Sequence, residues 1–69
     1  MGITPFTYIL HYRLRKSMEL LRDSEQSVTT IASSTGFSTV SYYIDRFKEY
    51  TGYPPHVYRK KFLMTNHKV

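Results

Sequence analysis

At 69 residues the chain holds one domain at most, and a core of that size is stable only if it packs closely. It has no cysteine, which removes disulfides and thiolate metal sites as staples. Ten Lys and Arg against five Asp and Glu give +5 at pH 7 and a pI near 9.7, an excess that suits a polyanion such as nucleic acid or an anionic membrane face. No stretch approaches the roughly 18 apolar residues of a membrane-spanning helix. The N-terminus lacks the basic start and apolar run of a signal peptide, so a cytoplasmic protein is expected.

A first helix is expected over about residues 4–23. Thr4 can cap it, and Pro5 suits its first turn, where the missing N–H costs nothing. Phe6, Leu10, Leu14, Ser17 and Leu21 then recur at helical spacing and form one face, widened by Ile9, Met18 and Leu20. Arg13, Arg15 and Lys16 break out of the stripe and read as a solvated face.

A short helix, a turn and a longer helix are expected over about 27–51, the helix-turn-helix arrangement. Ser27 caps the short helix, and Val28, Ile31 and Ala32 face inward. The β-branched run from Val28 to Ile31 is compatible with a strand, but the flanking cap and Gly36 favour a helix. Gly36 ends it, because glycine takes the left-handed conformation a tight turn needs. Ala32 is small where the two helices cross, and Phe37 anchors the turn in the core. The longer helix begins after Ser38 or Thr39, carries Tyr43, Phe47 and Tyr50, and stops at Gly52. A closing helix over about 54–63 opens at Pro54–Pro55 and carries Val57, Tyr58 and Phe62, before a polar tail from Met64. No segment shows sustained period-two alternation, so the fold class is all-α. Gly2, Pro5 and Tyr8 recur as Gly52, Pro55 and Tyr58, as though the seam after a helix-turn-helix unit occurred twice.

Enzyme chemistry has little to stand on. His11, His56 and His67 have no metal-ligand spacing, and there is no glycine-rich phosphate loop or nucleophile–base signature. No cofactor or metal is expected. Most of the seven tyrosines are expected to pack in or at the edge of the core.

The segment Ile31-Ala32-Ser33-Ser34-Thr35-Gly36-Phe37, then Ser41-Tyr42-Tyr43, Phe47-Lys48, Gly52 and Pro55-x-x-Tyr58-Arg59, resembles the second helix-turn-helix of the AraC/XylS family of bacterial transcription regulators. Gly2-x-Thr4-Pro5-x-x-Tyr8, Arg13-Leu14 and Leu20-Leu21 resemble the linker helix that joins that family's two units. The likeness runs from Gly2 to about Lys60. It implies a homeodomain-like three-helix core preceded by a long linker helix, and sequence-specific binding of double-stranded DNA. The family's domain has two units and this chain holds one. Pro54 stands where the family commonly has Ser or Thr, and Asp45 where it often has Arg.

Carried over by position, the resemblance makes Thr39, Val40, Ser41, Ile44 and Asp45 the groove-facing residues. Ser38 and Lys48 are placed for phosphate, and Arg59 with Lys60 for the DNA backbone. Several of these have a second role open to them. Val40 and Ile44 either meet thymine methyls or pack inward, and Thr39 and Ser41 either face the groove or cap the helix. Asp45 either accepts from a cytosine amino group or pairs on the surface with Lys48. RNA polymerase is a further candidate partner, and the basic amphipathic first helix offers a surface for protein docking or self-association, with a membrane-surface role ranked last.

Overall fold

The computed structural model describes the backbone of residues 4–67 and the side chains of residues 4–61. Four α-helices make up the fold in chain order: α1 Pro5–Asp23, α2 Val28–Ser34, α3 Val40–Thr51 and α4 Pro55–His67. No strand occurs among the described residues. The seam glycine Gly2 and the side chain of Phe62 lie outside them.

Each of the first three helices starts on a hydroxyl cap. The side chains of Thr4, Ser27 and Thr39 accept from the backbone N–H groups of Thr7, Thr30 and Tyr42, each satisfying a donor that the first turn leaves open. α4 starts at Pro55, which is buried, and the Pro54 carbonyl accepts from the Tyr58 N–H at 2.9 Å. α4 continues to His67, past the end near residue 63 that the polar tail suggested.

The core is built from Leu14, Leu21, Ile31, Ala32, Phe37, Tyr43 and Phe47. α1 packs against each of the other three helices, so it completes the core as well as leading into it. Its buried residues are Leu14, Ser17 and Leu21. Ser17 fits this apolar contact because its hydroxyl donates to the Leu14 carbonyl at 2.7 Å, leaving no open polar group. Toward the amino terminus the stripe is only partly covered: Leu10 packs against the core, but Phe6 is 66% and Ile9 45% exposed. Aromatic rings tie the remaining helices together. Phe37 lies 4.9 Å from Tyr43 between ring centres, Tyr43 meets Phe47 edge-on at 5.6 Å, and Phe47 meets Tyr58 edge-on at 5.3 Å.

The tyrosines are less buried than expected. Tyr8, Tyr12, Tyr42, Tyr50 and Tyr53 are exposed, and only Tyr43 lies fully inside. Three of the exposed rings gain partners at the surface instead: Tyr50 against His11, Tyr42 under the Arg46 guanidinium and Tyr53 under the Lys61 ammonium.

Candidate nucleic-acid interface

The turn between α2 and α3 fixes how α3 is presented. Gly36 has φ of +95°, a conformation an L side chain rarely adopts. Around it the Phe37 N–H bonds to the Ala32 carbonyl at 3.0 Å and the Gly36 N–H to the Ser33 carbonyl at 3.2 Å. These two bonds close the end of α2 and satisfy carbonyls that the helix leaves open. They also turn Phe37 inward, where it is buried beside Ala32 in the core. Gly36 is further enclosed by Arg13 of α1: a Cβ built there would lie 3.0 Å from Arg13 Nε and 3.2 Å from its Cζ. Arg13 is exposed, as are Arg15 and Lys16, but its side chain also lies against the turn. Its spacing from Leu10 and Ser17, three and four residues away, places it on the edge of the apolar stripe and was the signal for this contact.

α3 is held by its inner face. Tyr43 and Phe47 are fully buried. On the far side Ser41, Asp45 and Lys48 follow one another at spacings of four and three, and all are exposed. Val40 and Ile44 lie between these faces, half-buried and packed against the core. Ser38 and Thr39 are exposed at the start of the helix. Thr39 acts as the cap, its oxygen accepting from the Tyr42 N–H at 3.0 Å, whereas Ser41 has no capping bond among the described residues.

One expectation about a charged group is corrected. Asp45 forms no ion pair with Lys48 among the described residues; the pair on α3 is instead Arg46 with Glu49, at 2.8 Å. Arg46 and Glu49 lie three residues apart on one face of the helix, and the Arg46 guanidinium is also 5.7 Å from the Tyr42 ring centre. Asp45, one residue away, points about 100° around the helix from it. Arg59 is engaged within the fold. Its Nε donates to the Leu21 carbonyl at 3.0 Å and its terminal nitrogen to the Ser24 carbonyl at 3.1 Å. Half-buried, it closes the carboxy-terminal end of α1, where a cation also meets the negative end of the helix dipole. Arg59 thus joins α4 to α1, while Lys60 beside it is exposed.

His11 is half-buried against Tyr50, with ring centres 4.8 Å apart, and His56 is exposed. Among the described residues no three His, Cys, Asp or Glu side chains gather as a metal site would require. No helix among them is long and apolar enough to cross a membrane.

A short capped helix, a glycine turn locked into the core and a second helix held on one face and exposed on the other define a helix-turn-helix domain. A family model described as a helix-turn-helix domain matches residues 1–61, and the chain belongs to that family, in its AraC type. It is 37% identical over 57 residues to the uncharacterized HTH-type transcriptional regulator YdeC of Bacillus subtilis, covering 83% of this chain and 20% of that protein. It is 39% identical over 59 residues to the HTH-type transcriptional activator RhaS of Escherichia fergusonii, covering 86% and 21%. A second Bacillus subtilis regulator, YobQ, also uncharacterized, is 31% identical over 58 residues, covering 84% and 24%. The chain therefore spans about a fifth to a quarter of the length of these relatives. No solved structure matches it.

Proposed function

We propose that this chain is a sequence-specific DNA-binding module of an AraC/XylS-type transcription regulator, acting in the cytoplasm with α3 in the major groove of duplex DNA. The observation that carries the reading is the exposed line of Ser41, Asp45 and Lys48 on a helix whose opposite side is fixed by Tyr43 and Phe47. A helix anchored in this way presents its side chains in one orientation, as base readout requires. Ser41 and Asp45 face base edges, with Thr39 at the entry. Val40 and Ile44 offer their outer edges to thymine methyls, and Ser38 and Lys48 meet phosphates. Arg59 supports the interface from behind by anchoring α1 to α4.

The test is a titration of duplexes selected from a random pool, run at several salt concentrations. Phosphate contacts make affinity fall steeply with salt, and base readout makes Ser41→Ala and Asp45→Ala alter which sequences are selected. Binding that is indifferent to salt, or an unchanged selected sequence in both variants, overturns the proposal.

A second reading is favoured by one observation, the exposure of Phe6 and Ile9 on α1. In that reading α1 docks on a protein, either RNA polymerase or a second copy of the chain. Apolar docking survives high salt, which separates it from contact with phosphates.

A further inference from the structure

We infer that Arg13, together with Ser38, holds a backbone phosphate of the bound duplex, so that α1 grips DNA as well as packing the core; this rests on the major-groove reading of α3. The first support is position. The Arg13 guanidinium lies against Gly36, at the turn that leads into α3, and the bare glycine lets it approach closely. Arg13 is exposed, so its guanidinium stands open beside the turn that leads into the reading helix.

The second support is chemistry. Lys16, Arg22 and Arg46 each have a carboxylate partner, in Glu19, Asp23 and Glu49. Among the described residues Arg13 has no hydrogen bond or ion pair, so its donors remain open to an outside acceptor. The third is the surroundings. Arg13 lines a groove of about 480 Å³ with Ser38, Tyr42 and Phe6, and no acidic side chain is in the lining. Phe6 gives one wall a low polarity, which weakens screening of a charge held there. A planar guanidinium presents paired N–H groups that match the two non-bridging phosphate oxygens, and the exposed Ser38 hydroxyl can donate to one of the same oxygens. Such a contact positions the protein on the duplex and carries no sequence information.

Affinity for two duplexes of unrelated sequence is measured against salt for the parent chain, Arg13→Gln and Arg13→Lys. Loss of one phosphate contact lowers the slope of log affinity against log salt by about 0.9. Arg13→Gln is expected to show that drop equally on both duplexes, and Arg13→Lys to keep the slope at reduced affinity. In the unaltered chain, the Arg13 Nε–H resonance is expected to shift when duplex is added. If the parent binds with its salt dependence but that resonance stays in place and Arg13→Gln keeps the parental slope, the phosphate role is overturned and the reading of α3 stands. If the parent shows no salt-dependent binding, the reading of α3 fails first and this inference falls with it. Should Arg13→Gln not fold, the resonance of the parent decides alone: a shift supports the role, and no shift overturns it.

Discussion

Tyr43 and Asp45, two positions apart on α3, show how differently one helix treats its two sides. The Tyr43 ring is fully buried, and its hydroxyl has no hydrogen-bond partner among the described residues. Ser17 lies beside it, but the Ser17 proton is already donated to the Leu14 carbonyl. Burial pushes the Tyr43 phenol above its ordinary value, while Ser17 and the Arg59 guanidinium pull it the other way. A phenol raised in the folded state contributes stability below the unfolded value of about 10 and loses it as pH climbs through the folded value. Tyr43→Phe removes a buried polar atom that lacks a partner, so it should be neutral or stabilising at pH 7. It should also lessen the fall of the melting midpoint above about pH 10. Thermal melts of both chains from neutral to alkaline pH check this; a loss of more than about 1 kcal/mol at pH 7 would mean that the hydroxyl has a partner worth a typical hydrogen bond. Asp45 lies on the exposed side and carries a negative charge where phosphates are expected. Asp45→Arg should raise general DNA affinity and steepen its salt slope by about 0.9 for one added phosphate contact. Weaker binding by the variant in a titration at fixed salt would instead assign Asp45 to a cytosine amino group.

At the scale of the helices, two contacts hold the arrangement. Ala32 is buried at 2% exposure in the α2 contribution to the core, beside the turn. Ala32→Leu overpacks that site and should cost roughly 1–3 kcal/mol, read as a lower melting midpoint; an unchanged midpoint would show room that a packed crossing lacks. Arg59 joins α4 to the end of α1 through two carbonyls 38 and 35 residues away in the chain. Arg59→Gln should lose about 1.5–3 kcal/mol, the range for hydrogen bonds to a charged group. DNA affinity, measured well below the melting midpoint, should stay near that of the parent. A variant of parental stability that binds DNA more weakly would return Arg59 to the interface. These two residues also mark what the sequence made legible. Helix starts at Thr4, Ser27 and Thr39, the turn at Gly36 and the buried faces follow from local spacing and capping, which neighbours in the chain decide. Arg59 on Leu21 and Ser24, Arg13 on Gly36 and Arg46 on Glu49 rather than Asp45 on Lys48 depend on how long side chains fold over a surface. The first two also depend on where distant segments meet. Periodicity shows which face a residue occupies, not which acceptor a long cation chooses among several within reach.

For the molecule as a whole, one reading helix limits how tightly the chain alone can hold DNA. α3 reaches a single segment of major groove, and with roughly four to six phosphate contacts the chain by itself should bind near the non-specific range of about 10⁻⁴–10⁻⁶ M at physiological salt. A second unit on the same chain makes the next contact intramolecular and raises avidity by roughly 10²–10⁴, which is the use we assign to the two-unit pattern of the family. The same argument bears on the uncovered part of α1. Phe6, Ile9 and Tyr12 are 66%, 45% and 50% exposed within two turns or so of one helix, while Leu14 and Leu21 further along are buried. Apolar and aromatic surface gathered in this way favours association. The 69-residue chain is therefore expected to self-associate through α1 as its concentration rises, and to bind a single site weakly when dilute. Sedimentation over a wide concentration range, set beside a duplex titration, tests both parts. Phe6→Ser combined with Ile9→Ser should keep the chain monomeric, and any change in its weak binding of DNA should be the same on all duplex sequences, because Phe6 borders the groove that holds Arg13 and neither residue lies on α3. A strict monomer that binds one duplex with nanomolar, sequence-specific affinity would show that a single helix-turn-helix unit suffices and that the exposed face of α1 has no part in assembly.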